Sequence, residues 1–353
     1  MKKIMLVCLT ICTLIGILGG FVGCSASNSS TLLVIEAESL MVPFAQIQKE
    51  FEQANPGINV ELQAHGSIQV IRQVTELGQN ADVVAVADDS LIPMLMYQTK
   101  MPDGKPYANW DIESNTNQLV LAYTPNSKYA DEINLSNWYQ IISRPDVTLG
   151  FTDPRMDAVG YRTLMALELA ESYYGDPNIM QDTVGNYFSM PITADNIDGV
   201  STVTVPELLE PTDNHIVLRD GDMDLLALLQ SGNIDYTIDY KSVVMQDHLN
   251  YLELPPEIDL GNSSFAQNYD KVVVTLNYQR FANINPVFEG LPIIYGMTIP
   301  NNSQNKAEAS KFIQFILSPQ GQSIFQEYDQ PELMPPVCDN ANALPDSLKP
   351  LFH

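Results

Sequence analysis

Segments with the pattern of β-strands alternate with segments with the pattern of helices along most of this chain. The apolar run at 31–37 precedes the helical period of VPFAQIQKEFEQA, and the run at 58–64 precedes SIQVIRQVTELG. The order repeats later, where TLGFT (148–152) precedes a helix that begins near 160 and HIVLR (215–219) precedes DLLALLQSG. This β–α–β–α order predicts a largely parallel sheet with helices on its faces.

The strand-like segments fall into two sets, and each set predicts one lobe. Two amphipathic helices, KAEASKFIQFILS and PQGQSIFQEY, close the chain. The second set is too short to cover them as well as its own helices, so we expect them to return to the first lobe. The chain then crosses between lobes twice, near 120 and near 290. The predicted domains are 31–121 with 286–345 for lobe 1 and 122–285 for lobe 2, with the ligand cleft between them.

The N-terminal segment predicts export. MKKIMLVCLTICTLIGILGGFVGC has two lysines and then an apolar run, which is typical of a signal peptide over residues 1–23. FVGC resembles the motif in which the cysteine, here Cys24, is lipidated after cleavage, and residues 24–30 then form a polar tether. An uncleaved membrane anchor remains the alternative, because the apolar run is nearly long enough to span a bilayer. Both interpretations place the body of the protein at the extracytoplasmic face of the cell membrane.

Charge and cysteine content narrow the possible partners. The formal net charge is −26, and cleavage after residue 23 removes two lysines and no acid, which makes it −28. Such a charge argues against nucleic acid and anionic lipid, whereas local dipoles can still bind a small anion. Cys338 is the one cysteine after Cys24, so we expect no disulfide within the chain.

Small polar or acidic residues stand where strands give way to helices. The four corners, two in each lobe, are Glu38–Ser39, Gly66–Ser67, Asp157–Gly160 and Asp220–Asp222. Ligands of open α/β sheets bind beyond the carboxyl ends of the strands, and free N–H groups at helix N-termini attract anions. Converging corners therefore predict an oxyanion site, although each residue could simply cap its own helix. We expect neither enzymatic activity nor a cofactor, because the sequence has no nucleophile motif, no phosphate loop and no histidine pair with metal-ligand spacing.

Several long stretches resemble one known family. HGSIQVIRQVTELGQNADVVAVAD, GYRTLMALELAESYYGDP and DLLALLQSGNIDY are similar to the tungstate/molybdate-binding lipoproteins of archaeal ABC importers, the WtpA type. The resemblance implies the two-lobed periplasmic-binding-protein fold of type II, with two mixed, mainly parallel sheets flanked by helices and two interlobe crossovers. It also implies a lipid-anchored monomer that captures tungstate or molybdate and delivers it to an ABC permease and ATPase complex.

The resemblance also assigns ligand-binding residues. Oxyanion contacts are implied for Ser39, Ser67, Tyr240 and the backbone around Val159, and contacts to the metal centre for the carboxylates of Asp157 and Asp222. Asp222 stands where the family usually has a glutamate, and Glu38 stands where a glycine is usual. We expect Glu38 to turn away from the cleft, because a carboxylate there would repel the anion.

A carboxylate at position 157 needs its own explanation, because it repels a dianion. It could carry a proton and donate a hydrogen bond, or it could bond directly to the central atom. Tungsten and molybdenum can expand from four toward six oxygen ligands, whereas sulfur in sulfate cannot. The alternatives are a binding protein for sulfate, phosphate or a small carboxylate, an extracellular hydrolase of anionic substrates, and a purely structural surface protein.

Overall fold

The structure, a computed structural model, describes residues 29–278, 284 and 286–352. The predicted signal segment, Cys24 and most of the tether lie outside the described residues. None of the helices that the described residues form has the length and apolar character needed to cross a bilayer.

Within these residues the chain forms fifteen strands and ten α-helices. The strands are β1 Ser30–Ala37, β2 Ile58–His65, β3 Val83–Val86, β4 Ile112–Thr116, β5 Leu119–Tyr123, β6 Leu149–Thr152, β7 Thr193–Ile197, β8 Val200–Val205, β9 Ile216–Arg219, β10 Tyr236–Tyr240, β11 Asn250–Glu253, β12 Val272–Leu276, β13 Val287–Glu289, β14 Ile294–Thr298 and β15 Glu332–Cys338. The helices are α1 Met41–Ala54, α2 Ser67–Thr75, α3 Trp138–Ile142, α4 Ala158–Tyr174, α5 Ile179–Thr183, α6 Asp222–Gln230, α7 Lys241–Gln246, α8 Ala266–Tyr269, α9 Lys306–Ile316 and α10 Pro319–Glu327. A 3₁₀ turn, Glu38–Leu40, joins β1 to α1.

The first lobe is built on a six-stranded sheet in the order β15-β4-β14-β3-β1-β2. Helices α1, α9 and α10 pack together beside it through a cluster of aromatic rings. Phe44 lies edge-on to Phe312 at 6.2 Å and to Phe325 at 6.1 Å between ring centroids. The two closing helices therefore contact the first helix of the chain, which is the packing that their amphipathic pattern requires.

The second lobe holds a five-stranded sheet, β11-β5-β10-β6-β9, and a four-stranded sheet, β13-β12-β8-β7. Helix α4 contacts strands of both sheets. Residues 158–170 of this helix are all buried, so this part of it has no face toward solvent. A charged side chain in α4 therefore has to find its partner inside the protein.

The mixed α/β class and the two crossovers are confirmed. The chain leaves the first sheet after Thr116 and enters the second at Leu119, and it returns over residues 290–293. The structure has three sheets where two were expected. More of the strand pairs are antiparallel than the expected, mainly parallel pattern allows. Strands next to a crossover, such as β5 and β14, pair antiparallel with their neighbours. The exact lobe limits at 121 and 285 remain predictions.

Candidate functional site

The structure brings the predicted corners of the two lobes into contact. Helix α2 in the first lobe and helix α6 in the second both begin after a glycine, Gly66 and Gly221 respectively. Glycine has no side chain that could accept a bond from the first N–H groups of its helix, and no side-chain cap is formed at either position. Both helix ends instead receive a carboxylate from the opposite lobe.

Asp157 is the carboxylate that covers α2. Its Oδ1 accepts a hydrogen bond from the backbone N–H of Ala158, which caps its own helix α4. The same oxygen accepts a bond of 3.0 Å from the backbone N–H of Ser67, at the start of α2 in the other lobe. A Cβ at Gly66 would lie 2.8 Å from the Cβ of Asp157, so the close approach requires glycine there. Asp157 is thus both a cap and a member of the interlobe site.

Glu38 is the carboxylate that covers α6, and the expectation that it turns away from the cleft is wrong. Its Oε2 lies 3.3 Å from the backbone N–H of Met223, in the first turn of α6. A Cβ at Gly221 would overlap the Glu38 carboxylate. The side chain reaches across because the positive end of α6 and the space left by Gly221 offer a carboxylate a favourable place.

Three hydroxyl groups at the site each accept a hydrogen bond from a protein donor. Ser67 accepts from the N–H of Ala87 at 3.0 Å, and Tyr240 accepts from Arg162 at 2.6 Å. Ser39 accepts from the hydroxyl of Tyr295 at 3.0 Å. A hydroxyl that already accepts one bond has its own proton to donate. Ser39, Ser67 and Tyr240 can therefore each donate a hydrogen bond to an acceptor in the site.

A further chain of donors supports Ser39. The side-chain amide of Asn117 donates to Tyr295 at 3.0 Å and to Ser242 at 2.8 Å. Gln330 donates to the backbone carbonyl of Ser39 at 2.7 Å. Asn117 lies in the first crossover, so the segment that joins the lobes is bonded directly to the Ser39 corner.

Arg162 is a buried cation that the sequence reasoning missed. Its guanidinium donates to the carbonyl of Ala87 at 2.5 Å and to Tyr240, and it lies 3.3 Å from the carboxylate of Asp88. Burial lowers the pKa of Arg162, but attraction to Tyr240 and Asp88 outweighs this effect and raises it. The signal in the sequence that could have found it is an arginine within the mostly apolar helical segment AVGYRTLMALELA.

The acids of the site are buried close to one another. Burial, with repulsion from Glu38, raises the pKa of Asp157 to about 7, against the two N–H groups that lower it. The pKa of Asp222 is raised well above its ordinary value by burial and by Asp239, Asp157 and Glu38. Burial, with repulsion from Asp157, Glu38 and Asp247, likewise raises the pKa of Asp239, which sequence reasoning also missed. One carboxylate oxygen of Asp222 and one of Asp239 have no hydrogen-bond partner among the described residues.

Most of the predicted site residues thus lie together. Ser39, Ser67, Asp157, Asp222 and Tyr240 are all buried at the interlobe contact. Val159 is buried in the first turn of α4, where the backbone N–H groups have no partner within the helix. Cys24 lies outside the described residues, and its lipidation stays a prediction.

Comparisons with known proteins identify relatives over most of this chain. The sequence model of a family described as bacterial extracellular solute-binding protein matches residues 32–328. An uncharacterised solute-binding protein of Methanococcus maripaludis is 36% identical over 94% of this chain and 93% of its own. The molybdate/tungstate-binding protein WtpA of Pyrococcus abyssi is 37% identical over 96% of this chain and 95% of its own.

A solved structure supports the fold. The periplasmic molybdate-binding protein of Azotobacter vinelandii matches with a TM-score of 0.52 at 15% identity, over 85% of this chain and 98% of that one. At this identity the match concerns the two-lobed architecture alone.

Proposed function

Because this chain belongs to the family of bacterial extracellular solute-binding proteins, we propose that it captures tungstate or molybdate and delivers it to an ABC importer. The family description indicates an extracytoplasmic location. The relative from Pyrococcus abyssi, which is named as a molybdate/tungstate-binding protein, supports the choice of ligand.

The observation that carries this proposal is the pair of buried carboxyl groups, Asp157 and Asp222, beside hydroxyl, N–H and guanidinium donors. Hydroxyl groups, two helix N-termini and Arg162 suit any oxyanion. Two carboxylates do not suit sulfate or phosphate, because like charges repel. They suit an anion whose central atom accepts further oxygen ligands, as tungsten and molybdenum do.

The proposed cycle is capture without chemistry. The anion enters an open cleft, and Ser39 and Ser67 hold it from the first lobe. Asp157, Asp222, Tyr240 and the N–H of Val159 hold it from the second. Contacts from both lobes favour the closed state, because that state alone offers all of them. The closed form then docks on the permease.

We also propose that cleavage before Cys24 and lipidation of its thiol keep the protein at the cell membrane. Two acyl chains are expected, since one chain binds a membrane weakly. Mass spectrometry of the N-terminal peptide of membrane-extracted protein should show an acylated Cys24. An unmodified peptide that still contains residues 1–23 would instead indicate an uncleaved anchor.

Isothermal titration calorimetry with tungstate, molybdate, sulfate and phosphate tests the ligand class. We expect tungstate and molybdate to bind at least about a hundredfold more tightly than sulfate, which corresponds to about 2.7 kcal/mol. Equal or tighter binding of sulfate or phosphate would support the alternative of a general oxyanion receptor. No heat with any of the four anions would remove the oxyanion proposal altogether.

A further inference from the structure

Glu38 occupies a position that the proposed anion needs. Its carboxylate lies in the first turn of α6, within 3.3 Å of the N–H of Met223. That turn is the second-lobe helix end next to Asp222, one of the two carboxylates proposed to bind the central atom. A carboxylate and an oxyanion compete for such a helix end, because both are attracted by the same unpartnered N–H groups and the same dipole.

A second observation points to the same place. Asp222 is 1% exposed, and its Oδ1 has no hydrogen-bond partner among the described residues. Its carboxyl group is close enough to Glu38 for the two to interact directly. A buried polar atom without a partner is costly. An acceptor atom or donor of a ligand at this position would therefore give the Asp222 carboxyl group the partner that the described residues do not provide.

We propose that Glu38 is a built-in competitor of the anion. Its carboxylate takes the place of the ligand on α6, holds the cleft closed when no ligand is present, and must move out before the anion binds. This inference rests on the proposed function.

Geometry makes Glu38 the displaceable one of the two interlobe carboxylates. It accepts one long hydrogen bond from a backbone N–H, lies beside another acid, Asp222, is only partly buried, and has a longer side chain than aspartate. Asp157, by contrast, is 3% exposed and accepts two N–H bonds. The predicted consequence is a weaker apparent affinity for the anion. Only the fraction of protein in which Glu38 has moved away can bind, and the apparent Kd rises as that fraction falls.

Calorimetry with tungstate tests the inference on Glu38→Gln, which removes the charge at nearly constant size, and on Glu38→Ala. Glu61→Gln serves as the control, since it makes the same charge change on an exposed side chain of β2 in the same lobe. We expect both Glu38 variants to bind tungstate at least about tenfold more tightly than the wild type, and Glu61→Gln to bind it unchanged.

Weaker binding by the Glu38 variants would overturn the inference, because Glu38 would then be a ligand rather than a competitor. Unchanged binding would overturn it as well. If neither wild type nor variants bind tungstate, the proposed function fails, and small-angle X-ray scattering of the ligand-free proteins then decides the inference. A larger radius of gyration for Glu38→Ala than for the wild type supports the closing role, and identical radii contradict it.

Discussion

The two helix ends that meet at the cleft are built alike and held differently. At α2 and at α6 a glycine N-cap leaves the first N–H groups to a carboxylate from the opposite lobe. Asp157 accepts one hydrogen bond from α2 and one from its own helix α4, and the cation of Arg162 lies nearby. Glu38 binds α6 with one long bond and faces the acid of Asp222. Asp157 thus has two N–H donors and a cation nearby, whereas Asp222 and Glu38 lie beside other acids, and burial together with these acids raises the pKa of Asp222.

This difference suggests that the two helix ends have different roles in ligand binding. Among the described residues, no lysine or arginine is paired with Glu38 or Asp222. Carboxyl groups without a cationic partner are well suited to a ligand whose central atom accepts their oxygens. Substitutions at the two helix ends should therefore differ in their effects on stability and on anion binding.

The largest effect is expected where Arg162 is replaced by methionine, because this removes the cation from the Asp157 corner. Arg162 and Asp88 form a buried ion pair between the lobes, with side chains 3% and 7% exposed. Removing one partner of a buried pair leaves the other uncompensated, so the free energy of unfolding should fall by about 4 kcal/mol. Urea-induced unfolding measures it. Arg72→Met is the control, since its pair with Glu76 lies near the surface and should cost less than about 1 kcal/mol. Equal losses of unfolding free energy in the two variants would contradict the claim that the buried Arg162–Asp88 pair matters more than a surface pair.

Asp157→Ala should reduce tungstate affinity by about a hundredfold, equivalent to about 2.7 kcal/mol, and abolish the preference over sulfate. The variant loses the group proposed to contact the central atom as well as the capping interactions. Asp224→Ala is the matched control, because Asp224 is an exposed acid in the first turn of α6. A variant that keeps the preference of the wild type in calorimetry would show that Asp157 is structural only.

Asp222→Asn should separate stability from binding at the α6 corner. In the ligand-free protein we expect the free energy of unfolding to stay the same or to rise by up to about 1 kcal/mol, because burial and the neighbouring acids already disfavour the ionised form of Asp222, so a neutral amide of the same size removes little. Tungstate affinity should fall in the same variant. A loss of stability in urea unfolding would mean that the Asp222 carboxyl group already makes favourable interactions without a ligand. That result would contradict the difference between the two helix ends.

The smallest expected effect is the pH dependence due to Asp157. Its pKa of about 7 in the folded protein exceeds the value of about 3.9 in an unfolded chain. The stabilisation from this group is therefore complete below about pH 4 and is lost as the pH rises through 7. Between pH 6 and 8 the ligand-free wild type should lose about 1 kcal/mol more than Asp157→Asn. Both proteins share the charged groups that face position 157, namely Glu38, Asp222, Asp239 and Arg162. Parallel pH profiles of the two proteins would therefore contradict the raised pKa of Asp157.

Local patterns in the sequence predicted most of the regular elements. The helix expected over 42–54 is observed as Met41–Ala54, and the one over 319–328 as Pro319–Glu327, where Ser318 provides the cap. Helix α4 begins at Ala158 rather than 160, because Asp157 caps it. Strand β15 was not predicted, since its two prolines argue against a strand, and it is tolerated at the edge of the sheet.

The site was predictable only where its residues follow strands within one lobe. Ser39, Ser67 and Asp157 lie at such corners and could be found by their positions. Arg162 and the direction of Glu38 depend on how the opposite lobe is placed, and local periodicity has no information about that. Asp239 lies within β10, where alternation is compatible with a solvent-facing side chain, yet it is fully buried.

The most direct test is a crystal structure with bound tungstate, in which anomalous scattering locates the metal. We predict one tungsten atom between Ser39, Ser67, Asp157, Asp222 and Tyr240, with an oxygen of each aspartate bonded to it and with Glu38 moved off α6. Tungsten density elsewhere, or both aspartates turned away from the metal, would contradict the account.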